Sequence, residues 1–109
     1  MTAITRYRGD TAPDTGYAAI DGVALNVTGC SFKLTVDPEK APASAANNLF
    51  SLSGEAVDPL TGKIKFPITD MQADQTPGKY WYDIQMIDGA GLKRTIALDR
   101  YIILQDITK

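Results

Sequence analysis

The stretch from Gly78 to Ile87 constrains the fold of this chain more than any other. Tyr80, Tyr82, Ile84 and Met86 alternate with Lys79, Trp81, Asp83 and Gln85. On an extended backbone, successive side chains point to opposite faces, so the first set buries one face and the second wets the other. Pro77-Gly78 leads into the stretch and Asp88-Gly89-Ala90-Gly91 leads out of it, which predicts a strand between two turns.

Turn-forming pairs recur along the chain at Asp21-Gly22, Thr28-Gly29, Asp37-Pro38, Ser53-Gly54, Asp58-Pro59, Thr61-Gly62 and Asp88-Gly89. Such spacing leaves room for short strands and none for the long crossovers of βαβ units. Strands are expected over Ile4 to Arg8, Gly16 to Ile20, Val23 to Val27, Cys30 to Val36, Leu49 to Val57, Lys63 to Ile68, Lys79 to Ile87 and Leu92 to Leu104. Cys30, Phe32, Leu34 and Val36 form one apolar phase, and Ile64, Phe66 and Ile68 another. Pro67, which has no N–H to give a ladder, belongs at a strand end or edge. A connector from Ala41 to Asn48 and a capped helical turn through Met71 to Asp74, started by Thr69 or Asp70, complete the path. In the last strand Ile96 and Leu98 share a phase that Tyr101 and Ile103 do not, which predicts a β-bulge or a change of sheet near Asp99 and Arg100.

A tyrosine just past a Pro-Gly, two residues before an inward position, suits the corner of an immunoglobulin-like sandwich, where its hydroxyl ties down the incoming loop. The expected fold is therefore all-β, an immunoglobulin-like antiparallel β-sandwich of about seven to nine strands. The 109 residues fit a single domain spanning 1–109. Cys30 is the only cysteine, so packing must hold the layers without an internal disulfide. Its phase with Phe32 predicts a buried, inert thiol.

Composition removes most chemistry. There is no histidine, which excludes Ser-His-Asp and Cys-His catalysis and the commonest metal ligand, and one thiolate is too few for a zinc site. Asp70, Asp74, Asp83 and Asp88 are read as turn and surface residues that could gather near one end of the sandwich, without the dense oxygen spacing of a calcium loop. Gly89-Ala90-Gly91 reads as a hairpin turn, and Arg8-Gly9-Asp10 as a strand end followed by a turn. Tyr7, Tyr17 and Tyr101 are expected in the core or at its rim. Eleven basic and 13 acidic residues give a net charge of -2, with both signs scattered, so no nucleic-acid footprint is expected. No apolar run has the length of a signal peptide or a membrane span, so no membrane partner is expected and synthesis in a cytoplasm is. No catalytic residue, metal ligand or cofactor is assigned. Trp81 lies out of phase with the core, and with Lys79 and Asp83 beside it forms the candidate partner-contact surface.

Three segments carry a resemblance: Ile4-Thr5-Arg6-Tyr7-Arg8-Gly9-Asp10-Thr11, Leu25 through Val36 with its Gly29 and Phe32, and Pro77-Gly78-Lys79-Tyr80-Trp81-Tyr82-Asp83-Ile84-Gln85-Met86. In this order they resemble the immunoglobulin-like domain of bacteriophage baseplate and tail proteins, and are similar to the N-terminal domain of baseplate upper proteins. The resemblance implies a non-catalytic structural or assembly module of a phage or prophage virion at tail, baseplate or capsid surface, made in the host bacterial cytoplasm. It implies other phage structural proteins as partners and a homo-oligomer, a trimer or hexamer. Such domains typically begin a longer chain, so the expectation is either a stand-alone accessory protein or one domain of a longer one. The alternative is a carbohydrate-binding sandwich used in host-surface recognition, with Trp81 as the stacking platform.

Overall fold

A computed structural model of the chain describes residues 3–17, 19–20, 23–24, 26–40, 48–58, 60 and 62–105. In chain order the elements are β1 (Ile4–Tyr7), β2 (Asp14–Tyr17), β3 (Ala19–Ile20), β4 (Val23–Ala24), β5 (Ser31–Asp37), β6 (Phe50–Asp58), β7 (Lys63–Phe66), α1 (Asp70–Ala73), β8 (Gly78–Ile87) and β9 (Lys93–Leu104). The all-β expectation holds. The expected connector from Ala41 lies outside the described residues, apart from Asn48, as does Leu25.

Seven strands hydrogen-bond in the order β1-β9-β8-β5-β6-β7-β2, and β3 and β4 form a separate small hairpin. The sequence predicts an antiparallel arrangement throughout, and one pairing departs from it. Strand β1 runs parallel to β9, with Ile4 beside Tyr101 and Tyr7 beside Leu104. Alternation tells which face a residue takes but not which distant strand it meets, or in which direction.

The run curls on itself through β6. Its first half, Phe50 to Gly54, pairs with β5, and Glu55 to Asp58 pair with β7 through a register shift between Ala56 and Asp58. Gly54 sits at the changeover, inside the strand rather than in the turn that Ser53-Gly54 suggested. A Cβ there would lie 2.5 Å from the Phe66 ring and 2.8 Å from the Phe32 Cβ, so only a glycine backbone lets β6 pass this close to both side chains.

The inward phases interlock in one core. Phe32, Leu34 and Val36 of β5 and Tyr82, Ile84 and Met86 of β8 are buried with Phe50, Leu52, Ile64, Phe66, Ile68 and Ile103. Each such side chain gains about 1.5–3 kcal/mol by leaving water, which is how the curled sheet holds with no disulfide. Tyr101 is fully buried, with edge-to-face contacts to Phe50 (5.7 Å) and Tyr82 (6.2 Å). Tyr7 is 51% exposed, a correction to the core-or-rim expectation, while the Tyr17 side chain lies outside the described atoms. Cys30 is half-buried against the core rather than fully enclosed, because it precedes β5 at the sheet end.

Two local expectations hold closely. The Tyr80 hydroxyl donates to the Thr76 carbonyl at 2.6 Å, tying down the loop that enters β8. Thr69 caps α1 reciprocally: its Oγ1 accepts from the Gln72 N–H (3.2 Å), and the Gln72 side-chain oxygen accepts from the Thr69 N–H (3.0 Å). The bulge is displaced. The shift between β8 and β9 leaves Ile96 as the extra residue, since Ile84 faces Ala97 and Gln85 faces Thr95. Leu98 is therefore 45% exposed, and Ala97, Tyr101 and Ile103 share the inward phase.

The end strands β1 and β2 meet through buried charge. Arg6 and Asp14 are 7% exposed each, with Arg6 Nη2 3.7 Å from Asp14 Oδ1. Arg6 Nη2 also donates to the Ala12 carbonyl, and the Tyr101 hydroxyl donates to Asp14 Oδ2 at 2.6 Å. Burial raises the Asp14 carboxyl above its usual range, while the Tyr101 hydrogen bond and the Arg6 charge pull it down by less. Tyr101 rises as well, chiefly through burial, with the Asp14 charge and hydrogen bond adding to it.

Candidate functional site

The outward face of the β5-β8-β9 layer carries a shallow groove of about 260 Å³. It is built from the phases the core rejects. Lys33, Thr35 and Asp37 of β5 stand across from Gln85, Asp83 and Trp81 of β8 in direct ladder register. On the other side of β8, Asp83 faces Leu98 and Trp81 faces Arg100 of β9. Glu39, Lys40 and Asn48 close the end near Trp81.

Trp81 is half-buried because two cations lie over its ring. The Arg100 guanidinium carbon is 4.4 Å from the ring centroid and the Lys40 ammonium 4.9 Å. Both are within range for attraction to the negative face of an aromatic ring. Asp37 is buried and satisfied, accepting from the Glu39 N–H at 2.8 Å and from the Asn48 amide at 2.7 Å. Thr35 and Ser51 extend the polar surface through a 3.1 Å hydroxyl contact. Asp83 differs from Asp37. Its carboxyl is pushed above the usual range by partial burial, against a weaker opposing pull from Lys33, and no hydrogen bond reaches it from the described residues.

The groove thus brings together two of the three predicted contact residues. Trp81 and Asp83 line it with Gln85, whereas Lys79 shares their face but stands beside Ile102, outside the lining. The sequence reading missed Lys33, Thr35, Asp37, Glu39, Lys40, Asn48 and Leu98 in the lining, and Arg100 over the Trp81 ring. The wet phase of β5 was visible as a signal for Thr35 and Asp37. Arg100 was hidden by the misplaced bulge.

The other candidate residues disperse. Asp74 lies before β8 and Asp88 after it, on either side of a ten-residue strand that is itself about 30 Å long at the usual rise; Asp83 lies within it. They do not share an end, contrary to the possibility raised by the sequence. The Asp74 carboxylate accepts from Arg8 Nε at 2.8 Å. The Asp88 carboxylate accepts from the Ala90 and Leu92 N–H groups inside the hairpin. Among the described residues, no group of three or more acidic or cysteine side chains could hold a metal ion. Arg8-Gly9-Asp10 is a turn: Gly9 has φ 83°, its N–H donates to the Ala73 carbonyl, and the Asp10 N–H donates to Tyr7.

What this arrangement offers chemically is recognition of charge and hydrogen-bonding groups on a rigid sheet. Compared with known protein families and with curated protein sequences, the chain finds no match in either.

Proposed function

We propose that this chain is a non-catalytic, immunoglobulin-like assembly module of a bacteriophage or prophage particle, at tail, baseplate or capsid surface, acting through protein contacts on the β5-β8-β9 face. The observation that carries this reading is where the three phage-like segments fall. They supply β1, β5 and β8, which with β9 make one continuous layer around Trp81. The immunoglobulin-like part is supported by the Tyr80 tie to Thr76, by the switch of β6 between layers, and by a core closed without a disulfide. The non-catalytic part is supported by the lack of histidine and by an open, sheet-borne groove in place of an enclosed cleft. In a symmetric particle such a module occurs in multiple copies, as a trimer or hexamer.

The cations over Trp81 speak against the carbohydrate alternative. A pyranose stacks on an open aromatic face, and Lys40 and Arg100 already lie over this ring.

The test is mass spectrometry of particles purified from an induced bacterial strain that carries the gene. The expected outcome is this chain in the particle at several copies. Particles complete in their other structural proteins but without this chain would overturn the reading.

A further inference from the structure

We propose that the Trp81 groove is a receptor for an arginine side chain of a partner protein, with Lys40 as the internal stand-in that the partner displaces. The proposal rests on the assembly reading above and specifies the chemistry of the contact.

Charge balance leads to it. The carboxylates of Asp37, Glu39 and Asp83 line the groove with the ammonium groups of Lys33 and Lys40, and Arg100 adds a third cation above Trp81. Withdrawing Lys40 leaves three carboxylates facing two cations and uncovers part of the indole. An entering cation restores both. Among the described residues Lys40 makes no ion pair, and its ammonium lies over the ring. It stands on the exposed bend after β5, whereas Arg100 is mounted on β9 opposite Trp81. Lys40 is thus the cation that can leave.

The geometry selects arginine over lysine as the visitor. Trp81 and Asp83 are two residues apart on one strand face, about 7 Å, so a side chain stacked on the indole can direct its far end at the Asp83 carboxylate. A guanidinium both stacks on an aromatic plane and donates two parallel hydrogen bonds to a carboxylate, while an ammonium is a compact and more strongly hydrated charge. Asp83 has that capacity free among the described residues, and its partial desolvation strengthens the response to a donor.

Trp81 is the only tryptophan in the chain, so fluorescence excited at wavelengths that tyrosine does not absorb reports on the groove alone. The probes are the capped peptides acetyl-Gly-Arg-Gly-Arg-amide and acetyl-Gly-Glu-Gly-Glu-amide, with chitotriose as the neutral sugar, titrated into wild type, Lys40→Ala, Lys40→Gln and Lys40→Ala/Asp83→Asn. The expected result is saturable binding of the arginine peptide, about tenfold tighter in both Lys40 variants, with the gain lost when Asp83→Asn is added. Equal affinity in wild type and both Lys40 variants would overturn the proposal, as would saturation by the glutamate peptide or by chitotriose. The two readings fail separately. Particles that contain a chain unable to bind the arginine peptide leave the assembly role and remove this contact, while a chain that binds it but is missing from particles does the reverse.

Discussion

Trp81 and Tyr82 are neighbours in the chain with opposite environments. Tyr82 is buried in the core, where burial, reinforced by the Asp99 and Asp14 carboxylates, pushes its hydroxyl up to about 12. Trp81 points outward beneath Lys40 and Arg100. This division was legible in the sequence because alternation in Gly78 to Ile87 has no ambiguity. The cations over Trp81 were not, since Lys40 arrives from the bend after β5 and Arg100 from β9, and periodicity carries no information about neighbours across a sheet. Asp83 yields a prediction with a definite sign. Its folded carboxyl titrates above the unfolded value of 3.8, so the folded state holds the proton more tightly than the unfolded state. Stability from this group is full below the unfolded value and is lost as pH rises through the folded one. Asp83→Asn removes that loss. The variant should gain about 0.5 kcal/mol over wild type at pH 7, a small figure because solvent screens a half-exposed group, and nothing at pH 3. Urea unfolding at the two pH values measures it. A gain of equal size at both would contradict the assignment.

Strands β6 and β9 both show where sequence pattern stops being enough. Gly54 looks like a turn residue because glycine after serine marks turns, yet it lies within β6 at the point where the strand leaves β5 for β7. The competing cause is steric: Phe32, Ile64 and Phe66 converge there, and their packing requires a position with no side chain. Gly54→Ala should cost roughly 1–3 kcal/mol through overpacking, read as a lower urea midpoint with an unchanged slope; a loss below about 0.3 kcal/mol would mean the layers can part without strain. In β9, the apolar character of Leu98 suggested an inward position and pushed the expected bulge to Asp99 and Arg100. The small Ala97 takes the inward place beside Ile84, and the extra residue is Ile96. A bulge was therefore readable from the change of phase, but its position depended on how much room the core leaves opposite Ile84.

Across the whole molecule, the run of seven strands has two ends, and buried charge joins them. Arg6 and Arg8 read alike in the sequence, as scattered basic residues, but they have different fates: Arg8 pairs with Asp74 at the surface, whereas Arg6 is enclosed against Asp14. Among the described residues Arg6 Nε and Nη1 have no hydrogen-bond partner, so within them this pair is incompletely satisfied. Such pairs are costly to break and cheap to replace. In a Tyr101→Phe background, chosen so that no hydroxyl is orphaned, Arg6→Met or Asp14→Leu alone should each lower stability by about 3–5 kcal/mol, and the double variant should recover most of the loss. Denaturant unfolding of the four proteins completes the cycle, and additive single losses would show that the two side chains do not act as a pair.

The parallel pairing of β1 with β9 also decides how the fold bears tension. The chain enters β1 at Ile4, beside Tyr101, and leaves β9 at Leu104, beside Tyr7. Traction applied ahead of Ile4 and beyond Leu104 pulls these strands past each other along their shared axis. The hydrogen bonds between them are then loaded together in shear, where an antiparallel terminal pair held at adjacent ends would open one bond at a time.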